Sequence, residues 1–192
     1  MSRIAIIQGH PDPAGGHYGH DLADAYAKGA AAAGHDVQRI EVARLEFPVL
    51  RTQAEFERAA PVADIRAAQD TILWADHLVI LYPLWLGTMP ALLKAFFEQV
   101  LRPGFAFDEA TRLPRKRLKG RSARIVVTMG MPALVYRWYF GAHGLRGLER
   151  NILGFCGIRP IRASLIGMVE AGRDARRAKW LDRLSALGRR AR

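Results

Sequence analysis

The stretch Leu78-Val79-Ile80-Leu81-Tyr82-Pro83-Leu84-Trp85-Leu86-Gly87-Thr88-Met89-Pro90-Ala91-Leu92-Leu93 decides how this chain is read. Its first five residues form a short, continuous apolar run, the pattern of a strand covered on both faces rather than one alternating between core and water. Pro90 stands where a first helical turn tolerates a missing N–H, and a helical pattern follows over Pro90–Leu101. Between strand and helix lies Pro83–Met89, a loop with Leu, Trp, Leu and Met where most loops are polar. Such a loop wants a large apolar partner, either a planar aromatic ligand or a second subunit.

Working outward, the same strand pattern recurs at Ile4–Ile7 and Ile125–Thr128, more weakly at Val37–Val42, and again at Ile161–Ile166. Helical patterns rich in Ala and Leu separate these runs, at Asp21–Ala33, Val62–Trp74, Leu145–Phe155 and Ala175–Leu187 besides Pro90–Leu101. Gly34 supplies a C-terminal stop for the first of them. Strand alternating with helix predicts parallel βαβ units, and so one doubly wound α/β domain over residues 1–192 with helices on both faces of the sheet. One long segment, 102–124, reads as irregular and basic, interrupted by Pro103, Gly104, Pro114 and Gly120; a basic C-terminal helix is expected over 173–190.

With 192 residues, 50% of them hydrophobic and 24% charged, the chain can bury a sizeable core, which excludes a disordered protein. Its single cysteine, Cys156, excludes an intrachain disulfide and a Cys-rich zinc site, and the apolar neighbours Leu153-Gly154-Phe155 suit an inert buried thiol. The apolar start is too short for a signal peptide. The longest uncharged run, His77–Leu93, contains two prolines and a glycine and falls short of the ~20 apolar residues that span a bilayer. A cytoplasmic protein is the expectation. The net charge of +11 is uneven: residues 1–96 carry 8 basic and 11 acidic side chains, residues 97–192 carry 21 and 7. A basic half admits nucleic acid, an anionic membrane, a docking surface for anions, or a merely solvated face. Neither basic segment, Arg112–Arg124 or Arg173–Arg192, belongs to a recognised nucleic-acid module, which disfavours the first.

In open parallel sheets, ligands bind beyond the carboxyl ends of the strands at the switch point of the strand order. Three loops fall there. His10–His20 is rich in glycine and precedes a helix N-terminus, which suits a phosphate, although it carries neither a GxxxxGK[ST] nor a GxGxxG signature. The second is the apolar loop Pro83–Met89. The third, Met129-Gly130-Met131-Pro132, is followed by Tyr136 and His143. His17 and His20 share a helical spacing without a third ligand in the pattern, so no metal site is expected.

The block Tyr82–Lys94, followed by Phe96-Phe97-Glu98-Gln99-Val100-Leu101, resembles the central block of the NAD(P)H:quinone oxidoreductases. These are flavodoxin-like flavoproteins, a group that includes DT-diaphorase, the modulator of drug activity B and the ancillary reductases of Kef potassium-efflux systems. His10-Pro11-Asp12-Pro13, Phe105-Ala106-Phe107, Gly141-Ala142-His143-Gly144 and Phe155-Cys156-Gly157 match further family blocks in the same order, over roughly residues 3–170. The resemblance implies a five-stranded parallel sheet of order 2-1-3-4-5. It implies that Pro83, Leu84, Trp85 and Leu86 line a flavin ring flanked by Thr128, Met129 and Gly130. His10, Gly16, His17, Tyr18 and Gly19 correspond to the flavin phosphate loop. Tyr136 and His143 correspond to a pair facing the ring and a bound quinone. Two departures stand out: Gly-Gly-His-Tyr-Gly replaces the usual Ser, Phe and Asn of the phosphate loop, and Leu86 replaces a second aromatic residue.

The resemblance further implies two-electron chemistry: a hydride passes from NAD(P)H to flavin N5 and on to a quinone, in ping-pong fashion. FMN and FAD remain equal alternatives, as do NADH and NADPH. A homodimer is implied. The other reading is a regulatory flavoprotein subunit of a membrane cation-efflux system, with the basic half docking to the membrane or the transporter.

Overall fold

Three strands buried on both faces form the centre of the sheet: β1 (Arg3–Gln8), β3 (His77–Pro83) and β6 (Ser122–Thr128). Their apolar runs are continuous because helices cover them from both sides, as the sequence pattern required. β2 (Asp36–Glu41) pairs outside β1, and β7 (Ile161–Ile166) outside β6, all in parallel. The order β2-β1-β3-β6-β7 is the expected 2-1-3-4-5 once only the strands of this sheet are counted. The computed structural model describes residues 1–108, 115–170 and 174–192.

α1 (Tyr18–Ala32) and α7 (Asp174–Gly188) cover one face. Their backbones touch: a Cβ on Gly29 would overlap the Ser185 carbonyl, and one on Gly188 would overlap that of Tyr26. α3 (Ala63–Trp74) and α4 (Ala91–Val100) cover the other face. They are joined there by a helical run made of α5 (His143–Gly147), a π-helical stretch Leu148–Leu153, and α6 (Gly154–Cys156). The observed run begins two residues before the predicted Leu145–Phe155, and its widened turn left no trace in the apolar spacing. A second π-helical turn, Val135–Tyr139, and the short helix α2 (Gln53–Arg58) were not expected from sequence. Six residues carry too little periodicity to announce a helix, although Thr52 caps α2 by accepting the Glu55 N–H at 3.2 Å.

The segment 102–124 is less irregular than its prolines and glycines suggested. β4 (Phe107–Asp108) and β5 (Arg115–Lys116) pair antiparallel within it, and β6 has begun by Ser122. Residues 109–114 of that segment, and Arg173 of the predicted basic helix, lie outside the described residues. Cys156 is buried as expected, and burial pushes its thiol up to about 12.

Candidate functional site

The parallel registers bring the carboxyl ends of β1, β3 and β6 to one edge, where Gln8 lies opposite Leu81 and Pro83 opposite Thr128. The chain order reverses between β1 and β3, so a crevice opens there. Gly9 lies at its floor, donating to the Leu81 carbonyl at 2.7 Å; a Cβ on it would strike the Leu93 side chain.

On the β1 side, Gly15 and Gly16 both adopt left-handed φ, 73° and 75°, and turn the chain into α1. His17 caps the helix without a side-chain bond, so the first amides of α1, at Tyr18 and Gly19, face outward with no partner inside the helix. Two struts fix this loop. Buried Gln8 donates through Nε2 to the Gly19 carbonyl at 3.1 Å and accepts the His10 N–H at 3.2 Å. Asp12 accepts the Ala14 N–H at 2.9 Å and pairs with His17 Nε2 at 2.6 Å. The His17 ring stacks on His10 at 3.9 Å, and His20 completes a cluster of three imidazoles. Burial first, then the neighbouring imidazoles, lower His10 to about 4, consistent with its Nδ1 accepting the Asp12 N–H. The cluster gathers His10 with the two histidines noted from spacing; among the described residues no group of three or more His, Cys, Asp or Glu is placed to hold a metal ion. Tyr18 points away from the loop, its hydroxyl on the Arg177 carbonyl and its ring under the Arg177 guanidinium, so its side chain is turned from the crevice.

On the β3 side, Leu84 N–H extends the β3–β6 pairing to the Thr128 carbonyl at 2.8 Å. Trp85 and Thr88 then exchange backbone bonds at 2.9 and 3.0 Å around a two-residue turn with Leu86 at φ 46° and Gly87 at φ 80°. This primed hairpin turn presents Leu86 fully to solvent and leaves Trp85 half exposed. A positive φ on a branched side chain is a strain that persists where the surroundings impose it, here on the most exposed apolar residue of the site. Of the third loop, Thr128 and Gly130 reach the surface, whereas the Met129 side chain is buried in the core, its N–H donating to the Ile166 carbonyl and its carbonyl accepting the Val169 N–H.

His143 is exposed at the start of α5, its ring folded back over Gly141. Gly144 touches the Gly87 carbonyl and Thr88 so closely that no Cβ would fit. Tyr136, expected from the resemblance to face a ligand, is buried instead: its phenol donates to the Gly87 carbonyl and accepts the Leu145 N–H. Beside the turn a cavity of about 670 Å³ runs from Trp85 and Leu86 past Met89 and Lys94 to Leu148 and Ile152. Sequence reasoning missed Gln8 and Asp12; a polar residue closing an apolar strand run was the available signal for Gln8.

These residues fit a flavin. Outward amides at the start of α1 suit its phosphate, the glycine turn leaves open space there, and exposed Trp85 and Leu86 offer the apolar surface a planar ring requires.

Comparison with known proteins agrees with this fold. The profile of a family described as "Flavodoxin-like fold" matches residues 2–187. NAD(P)H dehydrogenase [quinone] 1 from Rattus norvegicus is 32% identical over 127 residues, 63% of this chain and 45% of that protein. Ribosyldihydronicotinamide dehydrogenase [quinone] from Mus musculus is 29% identical over 147 residues, 72% of this chain and 63% of that one. The chain thus spans about half to under two thirds of the length of these curated relatives. The solved NAD(P)H:quinone oxidoreductase from Methanothermobacter marburgensis superposes with a TM-score of 0.81 at 25% identity, covering 98% of this chain and 96% of that one.

Proposed function

The chain belongs to the flavodoxin-like fold family, and from that membership we propose that it is a flavin-dependent NAD(P)H dehydrogenase acting on quinones. One observation carries this reading: an anion-ready helix N-terminus and an apolar, strained turn meet at the switch point of the sheet. The rat, mouse and Methanothermobacter relatives, whose own names state quinone reduction, support it.

When bound, the flavin supplies hydride acceptance at N5 from NAD(P)H and return of the hydride to a quinone-like acceptor at the same face. The chain's own residues do the rest. The amides of Tyr18 and Gly19 hold the phosphate, within a loop kept in shape by Gln8 and the Asp12–His17 pair. His10, Gly16 and His17 shape that pocket. Pro83, Leu84, Trp85 and Leu86 seat the ring, flanked by Thr128, Gly130 and the Met129 backbone. His143, exposed beside the turn, exchanges a proton with the acceptor oxygen, a task suited to imidazole near neutral pH. Tyr136 acts by positioning the turn. A second copy of the chain is the fitting cover for the apolar surface of Trp85, Leu86, Trp138, Tyr139 and Phe140. Among the described residues no helix is long and apolar enough to cross a membrane.

The visible absorption spectrum of the purified protein, with chromatography of any released flavin, is the decisive test. Flavin bands with FMN or FAD in the extract, and NAD(P)H oxidation driven by a naphthoquinone with parallel reciprocal plots, are expected. A colourless protein that takes up neither flavin ends this reading. His143→Gln is expected to lower kcat for the quinone half-reaction and shift its pH profile while flavin affinity stays unchanged.

A further inference from the structure

At the open edge of the sheet, around β7, a cavity of about 790 Å³ lies between β7, α7 and the chain from Ala133 to Glu149. Five arginines reach it from separate elements: Arg124 on β6, Arg162 on β7, Arg137 on the π-helical turn, Arg146 on α5 and Arg183 on α7. Glu149 is the one acid among the residues lining it. Among the described residues, none of the five arginines forms an ion pair with a side-chain carboxylate.

Arg124 is the telling member. It sits on β6, next to the edge strand, with only 6% of its surface exposed, donating through Nε to the Arg192 main-chain oxygen at 2.5 Å and through Nη1 to Ser164 Oγ at 2.9 Å. Burial, and then the charges of Arg162 and Arg183, press its proton affinity down. A buried cation is costly unless an anion repays its lost hydration. Arg162 from β7 and Arg183 from α7 add like charge beside it, and Glu149 is the one carboxylate among the lining side chains, so the wall is suited to an anion. The planar guanidinium fork matches phosphate oxygens, and a cavity of this volume is of small-molecule size. Trp180, Leu134 and Leu165 add apolar wall beside the charges.

We infer that this cavity is a binding site for a phosphorylated anion carrying two or more negative charges, with an apolar part of the ligand lying against Trp180. It is separate from the crevice at the carboxyl ends of β1 and β3 and shares no lining residue with the phosphate loop. Its charges account for part of the basic half of the sequence that the redox reading leaves without a use.

Isothermal titration with inorganic pyrophosphate and with ATP, at low salt, reads the site directly. Co-sedimentation with phosphatidylcholine vesicles, with and without phosphatidylglycerol, asks whether the phosphate comes from a lipid headgroup. Saturable binding is expected, weakened about tenfold or more by Arg162→Ala and by Arg183→Ala, as loss of a charge-assisted bond to phosphate implies. The same binding is expected to persist in His17→Asn. Should an alanine variant unfold, Arg162→Lys and Arg183→Lys keep the charge without the fork and are expected to bind with intermediate strength. Binding of the soluble phosphates identifies a free ligand; binding of anionic vesicles alone, lost in the same variants, identifies a headgroup. No saturable binding to either source overturns the inference. So does binding that the Arg162 and Arg183 variants leave unchanged, or that is lost in His17→Asn, since it then belongs to the phosphate loop.

Discussion

The Tyr136 phenol and the Gly87 carbonyl lie 3.3 Å apart across 49 residues of sequence, and the same phenol oxygen accepts the Leu145 N–H at 3.2 Å. One buried hydroxyl therefore ties the apolar turn after β3 to the start of α5, where His143 stands. Tyr136→Phe keeps the ring packing but leaves the Leu145 N–H without its acceptor, at a cost of about 1–3 kcal/mol. Thermal unfolding is expected several degrees lower. Because Tyr136 positions the turn rather than touching a ligand, the KM for quinone is expected to rise more than kcat falls, and flavin content to hold. An unchanged KM with a collapsed kcat would show the phenol acting on the substrate itself.

Gly144 makes the second tie between the same two elements. A methyl group there meets the Gly87 carbonyl and Thr88, and backbone cannot swing aside as a flexible side chain can. Gly144→Ala is expected to displace the turn, destabilising the fold by about 1–3 kcal/mol as overpacking does. It is also expected to lower flavin retention, read as flavin-to-protein ratio after desalting. Gly147→Ala, three residues on, has open space at its Cβ and serves as the neutral control.

Asp12 shapes the phosphate loop through its two oxygens, one on the Ala14 N–H and one on His17. Its hydrogen bond to His17, then that to Ala14, hold its pKa below the usual carboxylate range. The loop is thus ordered at neutral pH and loses this contact only as pH falls through that lowered value. Asp12→Ala removes it at every pH. FMN affinity, measured by quenching of flavin fluorescence, is expected to weaken about tenfold, the ordinary consequence of losing one hydrogen bond that preorganises a site.

Much of this architecture was legible because parallel strands leave a plain mark. Ile4–Ile7, Leu78–Tyr82 and Ile125–Thr128 are apolar without alternation, and only a sheet covered on both faces makes that stable. The crevice was legible too, since Leu84, Trp85 and Leu86 are out of place in a loop. What escaped depended on contacts distant in sequence. Nothing local to Tyr136 says that its hydroxyl meets a glycine carbonyl 49 residues earlier rather than a ligand. Gln8 acts through Gly19 on the next element, and α2 is too short for a period to emerge. The basic half was visible as two charged segments, Arg112–Arg124 and Arg173–Arg192, but not as side chains converging on one cavity. Arg124 carried the sharper signal, a guanidinium inside the apolar run Ala123-Arg124-Ile125-Val126-Val127, where a charge calls for a partner.

Acid sensitivity arises at His77, which is buried at the start of β3 with Nδ1 on Ser122 Oγ at 2.7 Å. Burial, then the nearby charges of Arg124 and Arg162, depress its pKa from 6.5 to about 4. The sign is fixed by linkage: above about 6.5 the ring is neutral in both states and its burial carries no protonation penalty. Between about 6.5 and 4 the unfolded chain takes up the proton and the folded one does not, so stability falls as pH falls through that window. The lowered value corresponds to roughly 3 kcal/mol once pH reaches the folded pKa. Urea unfolding at pH 7.5, 5.5 and 4.5 is expected to show a falling midpoint, with a shallower fall in His77→Gln, which keeps a hydrogen-bonding group and cannot be protonated. His10, lowered to about 4 as well, is expected to leave a residual slope in that variant. Equal slopes for His77→Gln and the parent chain would place the acid response elsewhere.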